Sequence, residues 1–412
     1  MPPEEVEAAE DILGKKPIVM STSGWGKFEA EDIVETLTTL REAGVDAQPN
    51  HVLFAHNRVW AEGVQGAPVH ANRGYADSET ASIAGLDECC GCSYCPPHPA
   101  GGPIYADPVH ANPVHANPVH ANPVHANYRL TGHVRSTVTP AASQGDLIGD
   151  PDGPVVVVLD TGWARTNAPS VFNPPPIRLN GGDRPSEDAD PDLDPAAGHG
   201  TFISGVIRRI EPSCQIVCQR LLTTYGDGDE FAIGDALDLL HDKLKRYKLT
   251  PDIVNLSFGG YGFDDRMLYL ALAIRRIQRR GVVVVASAGN DATCRPTFPA
   301  CLPGVIGVAA LDANHRAARF TNYGYWVRAS TLGVDIESVF FNWNGPRNAV
   351  GGGGDPDDFR SQWACWSGTS FSAPSVAGMI AREMRLKAMN APAAAAQLLA
   401  GPRDPLLGVR LV

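Results

Sequence analysis

Short apolar runs alternate with amphipathic segments between residues 154 and 389. The runs are rich in β-branched residues, as strands buried in a parallel sheet are, and they read VVVVLD, CQIVCQRLL, DIVNLSF, VVVVASAG and VIGVAAL. The intervening segments carry apolar residues at helical spacing, as in EFAIGDALDLLHDKLKRYK and DDRMLYLALAIRRIQRRG. This alternation predicts an α/β fold with an open, mostly parallel sheet and helices on both faces.

A shorter α/β pattern comes first in the chain. The sequence PIVM predicts a strand, EAEDIVETLTTLREAG an amphipathic helix, and DAQPNHVLFAH a turn and a strand. Ile33, Leu37 and Leu40 form the apolar stripe of this helix. We therefore predict a small α/β unit over residues 15–63, preceded by a tail over residues 1–14.

Residues 64–150 have neither a helical nor a strand period. They contain four tandem copies of PVHAN at 108–127 and a fifth copy at 68–72. A proline in every fifth position excludes a helix or a central strand, which indicates an extended linker. Two alternatives remain: a metal-binding tract through His110, His115, His120 and His125, or a processing tract whose least obstructed junction is Asn127–Tyr128.

Composition narrows the function classes. A net charge of −12 argues against broad binding to nucleic acids or anionic membranes. No apolar run approaches the roughly 20 residues of a membrane-spanning helix. The first residues, MPPEEVEAAEDILGKK, are acidic and lack the apolar core of a secretory signal, so a cytoplasmic location is the default expectation, with non-classical export as the alternative. The oligomeric state is not indicated.

The nine cysteines allow several readings. Four of them lie in CCGCSYC at residues 89–95, followed by His98, so this cluster is either a zinc site or a disulfide-bonded or plain loop. Cys294 and Cys301 bracket a loop that a disulfide could close. The lack of a secretory signal nevertheless predicts reduced thiols.

Reactive side chains follow four of the predicted elements. Asp160 ends VVVVLD, His199 lies in GHGT, Asn290 follows VVVVASAG, and Ser370 lies in WSGTSFSAPSVAG. The small residues around Ser370 favour the start of a helix, where unpaired N–H groups stabilise negative charge. Because sites in open α/β sheets lie at the carboxyl ends of the strands, we expect these side chains to meet.

These four segments, in the order Asp, His, Asn, Ser, resemble the signatures of the subtilisin-like serine proteases. The resemblance covers about residues 150–390, so we assign a peptidase domain to 151–390 and a tail to 391–412. It implies a serine endopeptidase in which Ser370 is the nucleophile, His199 the base and Asp160 its orienting partner. Asn290 and the backbone N–H of Ser370 would bind the oxyanion.

The resemblance also implies a cleft for a peptide or protein substrate. One wall corresponds to NLSFGG and the other precedes Asn290; the residues are Ser257, Phe258, Gly259, Ser287, Ala288 and Gly289. No cofactor is required for this chemistry, whereas structural calcium stays open. Residues 183–194 hold six acidic side chains, which suit calcium, basic substrates or simply a solvated loop.

Residues 15–63 resemble, more weakly, the propeptides of this family, which assist folding and then block the cleft. An accessory domain of unrelated use is the alternative for this unit, and self-processing at the N-terminal linker is a separate expectation. For the whole chain, a dedicated processing protease for one partner peptide is a narrower alternative. A non-catalytic peptide-binding protein on the same fold is a third, and the intact set of four polar residues argues against it.

Overall fold

The structure, a computed structural model, describes residues 5–19, 26–28, 30, 33–45, 47, 52–55, 135–136, 147–164, 172–187, 193–261, 267–343, 359 and 361–412. The PVHAN tract and the CCGCSYC cluster lie outside these residues. The described helices are α1 (Val6–Leu13), α2 (Ile33–Glu42), α3 (His199–Ile210), α4 (Glu230–Asp238), α5 (Leu240–Lys245), α6 (Leu268–Gln278), α7 (Thr369–Lys387) and α8 (Ala391–Leu398).

The described strands are short. Before the sheet centre they are β1 (Ile18–Val19), β2 (Gly26–Lys27), β3 (Val52–Ala55), β4 (Arg135–Ser136) and β5 (Leu147–Ile148). They continue as β6 (Val155–Asp160), β7 (Phe172–Asn173), β8 (Ile177–Arg178), β9 (Gln215–Arg220), β10 (Asp227–Asp229), β11 (Ile253–Leu256), β12 (Phe258–Gly259), β13 (Val283–Ser287) and β14 (Val305–Leu311). The last are β15 (Ala329–Leu332), β16 (Ile336–Val339), β17 (Trp363–Trp366), β18 (Arg403–Asp404) and β19 (Gly408–Arg410).

The five apolar runs form the centre of the largest sheet. Its nine strands follow the order β18-β19-β15-β14-β13-β11-β6-β9-β8. Every neighbouring pair is parallel except β18 with β19. Strands β6, β11, β13 and β14 are buried along their whole length, which explains why they lack an alternating pattern. The predicted open, mostly parallel sheet is confirmed.

Helices cover both faces of this sheet, as predicted. Val156 and Val158 of β6 belong to an apolar cluster that includes residues of α3, α7 and α8. The alternate residues Val155 and Val157 belong to a second cluster with residues of α4, α5 and α6. The period of two along one strand thus divides the core into two layers.

The helices of the N-terminal unit form a small core of their own, whereas its last strand pairs with strands from the rest of the chain. Ala9 of α1 packs with Leu37 and Leu40 of α2 in a separate apolar cluster. Strand β3 instead lies between β10 and β12 and pairs antiparallel with both. Leu53 is fully buried there and belongs to the larger cluster of the central sheet.

Three regions of the chain differ from what the sequence pattern predicts. Residues 1–14 contain α1, and 391–412 contain α8, β18 and β19, of which β19 joins the central sheet beside β15. Two- and three-residue strands show no period, which is why the pattern gives only a tail there. The helical segment at 230–248 breaks at Leu239 into α4 and α5.

The disulfide predicted as one option between Cys294 and Cys301 is wrong. Cys294 is disulfide-bonded, whereas Cys301 carries a thiol, as do Cys214, Cys218 and Cys365. The expectation that all thiols are reduced is therefore wrong at Cys294. Among the described residues, no helix is both long enough and apolar enough to cross a membrane.

Candidate active site

Asp160 and His199 meet at the carboxyl end of β6. Asp160 is the last residue of that strand, and His199 begins α3. The His199 Nδ1 atom lies 2.8 Å from the Asp160 Oδ1 atom, and both side chains are fully buried. Among the described residues, His199 Nε2 has no hydrogen-bond partner. One ring nitrogen is therefore held while the other is left to act on a proton.

The backbone around His199 requires glycine. Gly198 has φ of 78°, and a Cβ atom there would lie 2.1 Å from the ring of Phe340. A Cβ atom on Gly200 would lie 2.3 Å from the carbonyl oxygen of Gly162. Gly198 thus leaves room for the Phe340 ring, and Gly200 lets the start of α3 approach the loop that follows Asp160.

Two aromatic rings enclose the imidazole. Trp366 meets the His199 ring edge-on with centroids 5.5 Å apart, and the Phe371 ring lies at the same 5.5 Å distance. Trp366 ends β17, and Phe371 lies in the first turn of α7. Neither residue is identified by the sequence analysis, although both flank Ser370 in the quoted stretch WSGTSFSAP.

Ser370 is the second residue of α7 and is fully buried. Its hydroxyl donates to the carbonyl oxygen of Ser257 at 2.9 Å, and the Ser257 hydroxyl donates to the carbonyl oxygen of Ser370 at 2.8 Å. This reciprocal pair fixes the start of α7 against the residue that precedes β12. In the observed rotamer, the Ser370 hydroxyl is directed at Ser257 rather than at His199.

Asn290 is held beside Ser370 through Thr369. The Asn290 Oδ1 atom accepts hydrogen bonds from the Thr369 backbone N–H at 3.0 Å and the Thr369 hydroxyl at 2.9 Å. The same hydroxyl accepts from the backbone N–H of Gly289 at 3.1 Å. With its oxygen end held, the Asn290 amide presents its NH₂ end on the opposite side. Thr369 is a further site residue, and the sequence signal for it is the motif GTS.

The six predicted cleft residues lie on two neighbouring segments. Phe258 and Gly259 form β12 and face β3 across its ladder, with Phe258 opposite Ala55 and Gly259 opposite Phe54. The second segment consists of Ser287, the last residue of β13, with Ala288 and Gly289 after it, and all three residues are buried. The Phe258 side chain is fully buried in the same apolar cluster as Leu53.

A metal site is not assembled within the described ranges. No group of three or more His, Cys, Asp or Glu side chains comes together there. In the acidic loop, Asp194 accepts from the Thr224 hydroxyl, and Glu187 pairs with Arg184 and Arg220. Residues 188–192 of that loop lie outside the description. The described carboxylates of the loop are thus bonded to protein groups.

Residues 151–400 match the sequence model of the subtilase family. A thermophilic serine proteinase from Bacillus sp. (strain AK1) is 30% identical over 247 residues, which are 57% of this chain and 53% of that protein. Subtilisin Savinase from Lederbergia lenta is 27% identical over 253 residues, or 59% of this chain and 79% of that protein. A crystal structure of a cold adapted subtilisin-like serine proteinase covers 62% of this chain and 82% of that chain, with 24% identity and a TM-score of 0.44.

The chain spans about half the length of the first curated relatives that it matches, which are 53% and 56% covered. The family match itself extends over more than half of the chain and contains Asp160, His199, Asn290 and Ser370. It begins just before β6 and ends beyond α8, so it includes the centre of the sheet and the buried Asp–His pair. The chain belongs to the subtilase family.

Proposed function

We propose that this protein is a serine endopeptidase that hydrolyses peptide bonds with Ser370, His199 and Asp160. The observation that carries this proposal is the buried 2.8 Å contact between His199 Nδ1 and Asp160 Oδ1. A hydrogen bond from Nδ1–H to the carboxylate keeps the lone pair of the neutral imidazole on Nε2. Nε2 is then the atom that takes the proton of the nucleophile.

The reaction requires one rotation of the Ser370 side chain. Turning about the Cα–Cβ bond would move the hydroxyl from the carbonyl oxygen of Ser257 to Nε2 of His199. Catalytic hydrogen bonds often form only when the substrate is bound, so this bond is expected in the substrate complex. Ser370 Oγ then attacks the carbonyl carbon while its proton passes to Nε2. The imidazolium returns that proton to the leaving amine, and water hydrolyses the acyl-enzyme by the same steps.

Negative charge on the substrate oxygen would be stabilised at the start of α7. The backbone N–H of Ser370 lies in the first turn of this helix, where N–H groups are not used within the helix. The NH₂ end of Asn290, oriented by Thr369, supplies the second donor. Groups that are already fixed lose little on reaction, which makes such donors effective.

The position of β3 supports an extended peptide as substrate. This strand lies between β10 and β12 and hydrogen-bonds to both as the middle strand of a small antiparallel sheet. Any extended chain can make these main-chain bonds, whereas side-chain pockets decide which sequence binds. A protein or peptide segment that replaces β3 would occupy the same cleft.

The register of β3 further supports self-processing of the N-terminal unit. Gly259 is opposite Phe54 and Phe258 is opposite Ala55. Strand β3 is antiparallel to β12, so from Phe54 to Ala55 it runs in the direction of Ser257, whose carbonyl oxygen accepts from the Ser370 hydroxyl. The bond after residue 56 is therefore the junction we propose for cleavage, in preference to Asn127–Tyr128.

Labelling with a fluorophosphonate probe tests the activity. The full chain and its Ser370→Ala variant are incubated with the probe, and intact masses and new N-termini are recorded in parallel. We expect labelling that depends on Ser370 and a new N-terminus at Asn57 that is absent from the variant.

The other outcomes separate the alternatives. If neither the full chain nor a cut form is labelled while the protein still binds peptides, the non-catalytic peptide-binding protein would be supported. Labelling together with cleavage of a single sequence from a peptide library would support the dedicated processing protease. Labelling with an uncut N-terminus would retain the peptidase and overturn self-processing.

A further inference from the structure

A second buried carboxylate, Asp183, lies beside the Asp160–His199 pair and has no part in the reaction described above. It follows β8 as the first residue of the acidic loop, and its exposed fraction is 9%. Burying a carboxylate is unfavourable unless hydrogen bonds compensate. The partners of Asp183 therefore indicate what the group does.

Asp183 contacts one residue next to the catalytic acid and one residue next to the catalytic base. Its Oδ2 atom accepts from the hydroxyl of Thr161, the residue after Asp160, at 3.2 Å, and from the hydroxyl of Thr201 at 3.1 Å. Its Oδ1 atom accepts from the backbone N–H of Gly198, the residue before His199, at 3.1 Å. One carboxylate thus joins the end of β6 to the start of α3.

The two threonines extend this connection in both directions. The Thr161 hydroxyl accepts from the backbone N–H of Gly200 at 2.9 Å. The Thr201 hydroxyl accepts from the backbone N–H of Ala164 at 3.1 Å. Each hydroxyl therefore bonds the opposite segment while it donates to Asp183. The distance between β6 and α3 is set by five linked hydrogen bonds rather than by one contact.

The electrostatic surroundings of Asp183 disfavour its charge, so the carboxylate form depends on the hydrogen bonds that it accepts. Burial, together with the neighbouring Asp160 carboxylate, raises the pKa of Asp183 to about 6, while the bonds from Gly198, Thr201 and Thr161 oppose that rise. The other titratable or charged groups near Asp183 are His199 on α3, Cys218 on β9 and the guanidinium of Arg178 on β8, which lies beside Gly182. The next residue along the chain, Arg184, is exposed and pairs with Glu187.

We propose that Asp183 is a positioning residue, which as a carboxylate holds the start of α3 so that His199 Nδ1 stays within hydrogen-bonding distance of Asp160. This inference rests on the proposed function, because it concerns the geometry of the same acid and base. A shift of about 1 Å in such a pair is enough to lower the rate by about 100-fold. Asp183 achieves this without touching the substrate.

The first test reads the geometry without any activity. In the full chain carrying Ser370→Ala, a proton shared between His199 and a carboxylate gives a far-downfield proton resonance. We expect Asp183→Asn, which keeps the shape but removes the charge, to weaken or shift this resonance. Asp252→Asn is the matched control: Asp252 also accepts a backbone N–H and its pKa is also raised by burial, yet it lies at the opposite end of the strands.

The second test reads the rate in the chain that retains Ser370. We expect Asp183→Asn to lower the rate of fluorophosphonate labelling by about 10- to 100-fold. In the unsubstituted chain the acid limb of the pH–rate profile steepens below about pH 6, where the Asp183 carboxylate takes up a proton; in Asp183→Asn it does not steepen. A purely structural role would leave the slope unchanged.

The outcomes are distinct. An unchanged resonance and an unchanged labelling rate in Asp183→Asn would overturn the proposal. If the unsubstituted chain never labels, the proposed function fails, and the resonance still decides the role of Asp183. If circular dichroism shows that Asp183→Asn is unfolded, Thr201→Val decides instead: it removes one donor, keeps the carboxylate and should shift the same resonance to a smaller extent.

Discussion

At the scale of single residues, the site depends on side chains that are held from more than one direction. Thr369 bonds Asn290 through both its backbone N–H and its hydroxyl, and it also accepts from Gly289. Ser257 and Ser370 are bonded reciprocally. An oxyanion donor fixed in this way, such as the amide of Asn290, does not reorganise when charge develops, which is the main source of its effect on a transition state.

Replacing Asn290 with alanine should therefore reduce kcat far more than it changes KM. We expect a loss of about 100- to 1000-fold, because one of two oxyanion donors is removed. Hydrolysis of a chromogenic peptide by the processed chain measures both constants. The exposed Asn314 provides the control substitution Asn314→Ala. Equal losses in both variants would show that Asn290 does not stabilise the transition state.

The buried charge of Asp183 should lower the stability of the fold at neutral pH. Because its pKa rises from 3.8 to about 6 on folding, the folded state binds the proton more tightly than the unfolded state. The stabilisation that this proton brings is complete below pH 4 and is lost as the pH rises through about 6.

We therefore expect Asp183→Asn to raise Tm, relative to the unsubstituted chain, more at pH 8 than at pH 4. Thermal unfolding of the Ser370→Ala chain at both pH values measures this difference. A difference in Tm that is the same at both pH values would mean that Asp183 has an ordinary pKa in the folded protein.

At the scale of elements, β3 lies along the predicted cleft residues of β12, with which it pairs. Asp160, His199 and Ser370 are all fully buried in the full chain, and β3 fills the space between β10 and β12. The strand has only four residues, so its docking depends on its ladder and on Leu53, which belongs to the large apolar cluster. Strands this short are held by packing rather than by intrinsic preference.

Leu53→Ala should therefore loosen β3 selectively. Deleting a buried leucine costs about 2–5 kcal/mol, and here we expect that loss to appear as opening of the small sheet. In the Ser370→Ala chain, the amides of β10 and β12 should exchange hydrogen at least about tenfold faster, while those of β6 and β11 stay protected. Leu386→Ala on the exposed surface serves as the control. Unchanged exchange in β10 and β12 would show that Leu53 does not hold the strand.

The sequence predicts some of these elements much better than others. Strand β6 and its neighbours are long, apolar and buried on both faces, so their pattern alone identifies them. Strand β10 reads Asp-Gly-Asp and exists only because β3 lies beside it. The role of Asp183 is equally invisible, because it arises where a segment 15 residues before Gly198 folds back on it. Patterns report local burial, whereas these features depend on tertiary approach.

At the scale of the whole molecule, the family match and the N-terminal unit adjoin two different cores. The match over 151–400 contains the centre of the sheet and most of both of its apolar layers, while α1 and α2 pack with each other. Strand β4, from the segment between them, pairs with β17, which leads to Ser370. Cleavage after residue 56 would thus leave β4 in the catalytic part of the chain.

The connection between β3 and the rest of the chain determines how strongly the cleft is closed. While the chain is intact, β3 and its cleft are parts of one molecule, and their effective concentration does not depend on dilution. After a cut at residue 56 they become two molecules, and occupancy of the cleft then follows mass action.

The activity of the cut protein per mole should consequently rise on dilution. In the uncut Ser370→Ala chain, the fraction of molecules with an open cleft should not depend on dilution. Peptide hydrolysis measured across a hundredfold range of protein concentration tests this for the cut form. Activity strictly proportional to concentration would mean that the freed unit no longer returns to the cleft. If activity per mole does rise on dilution, cleavage of a single peptide bond converts a closure fixed by chain connectivity into one that depends on the protein concentration.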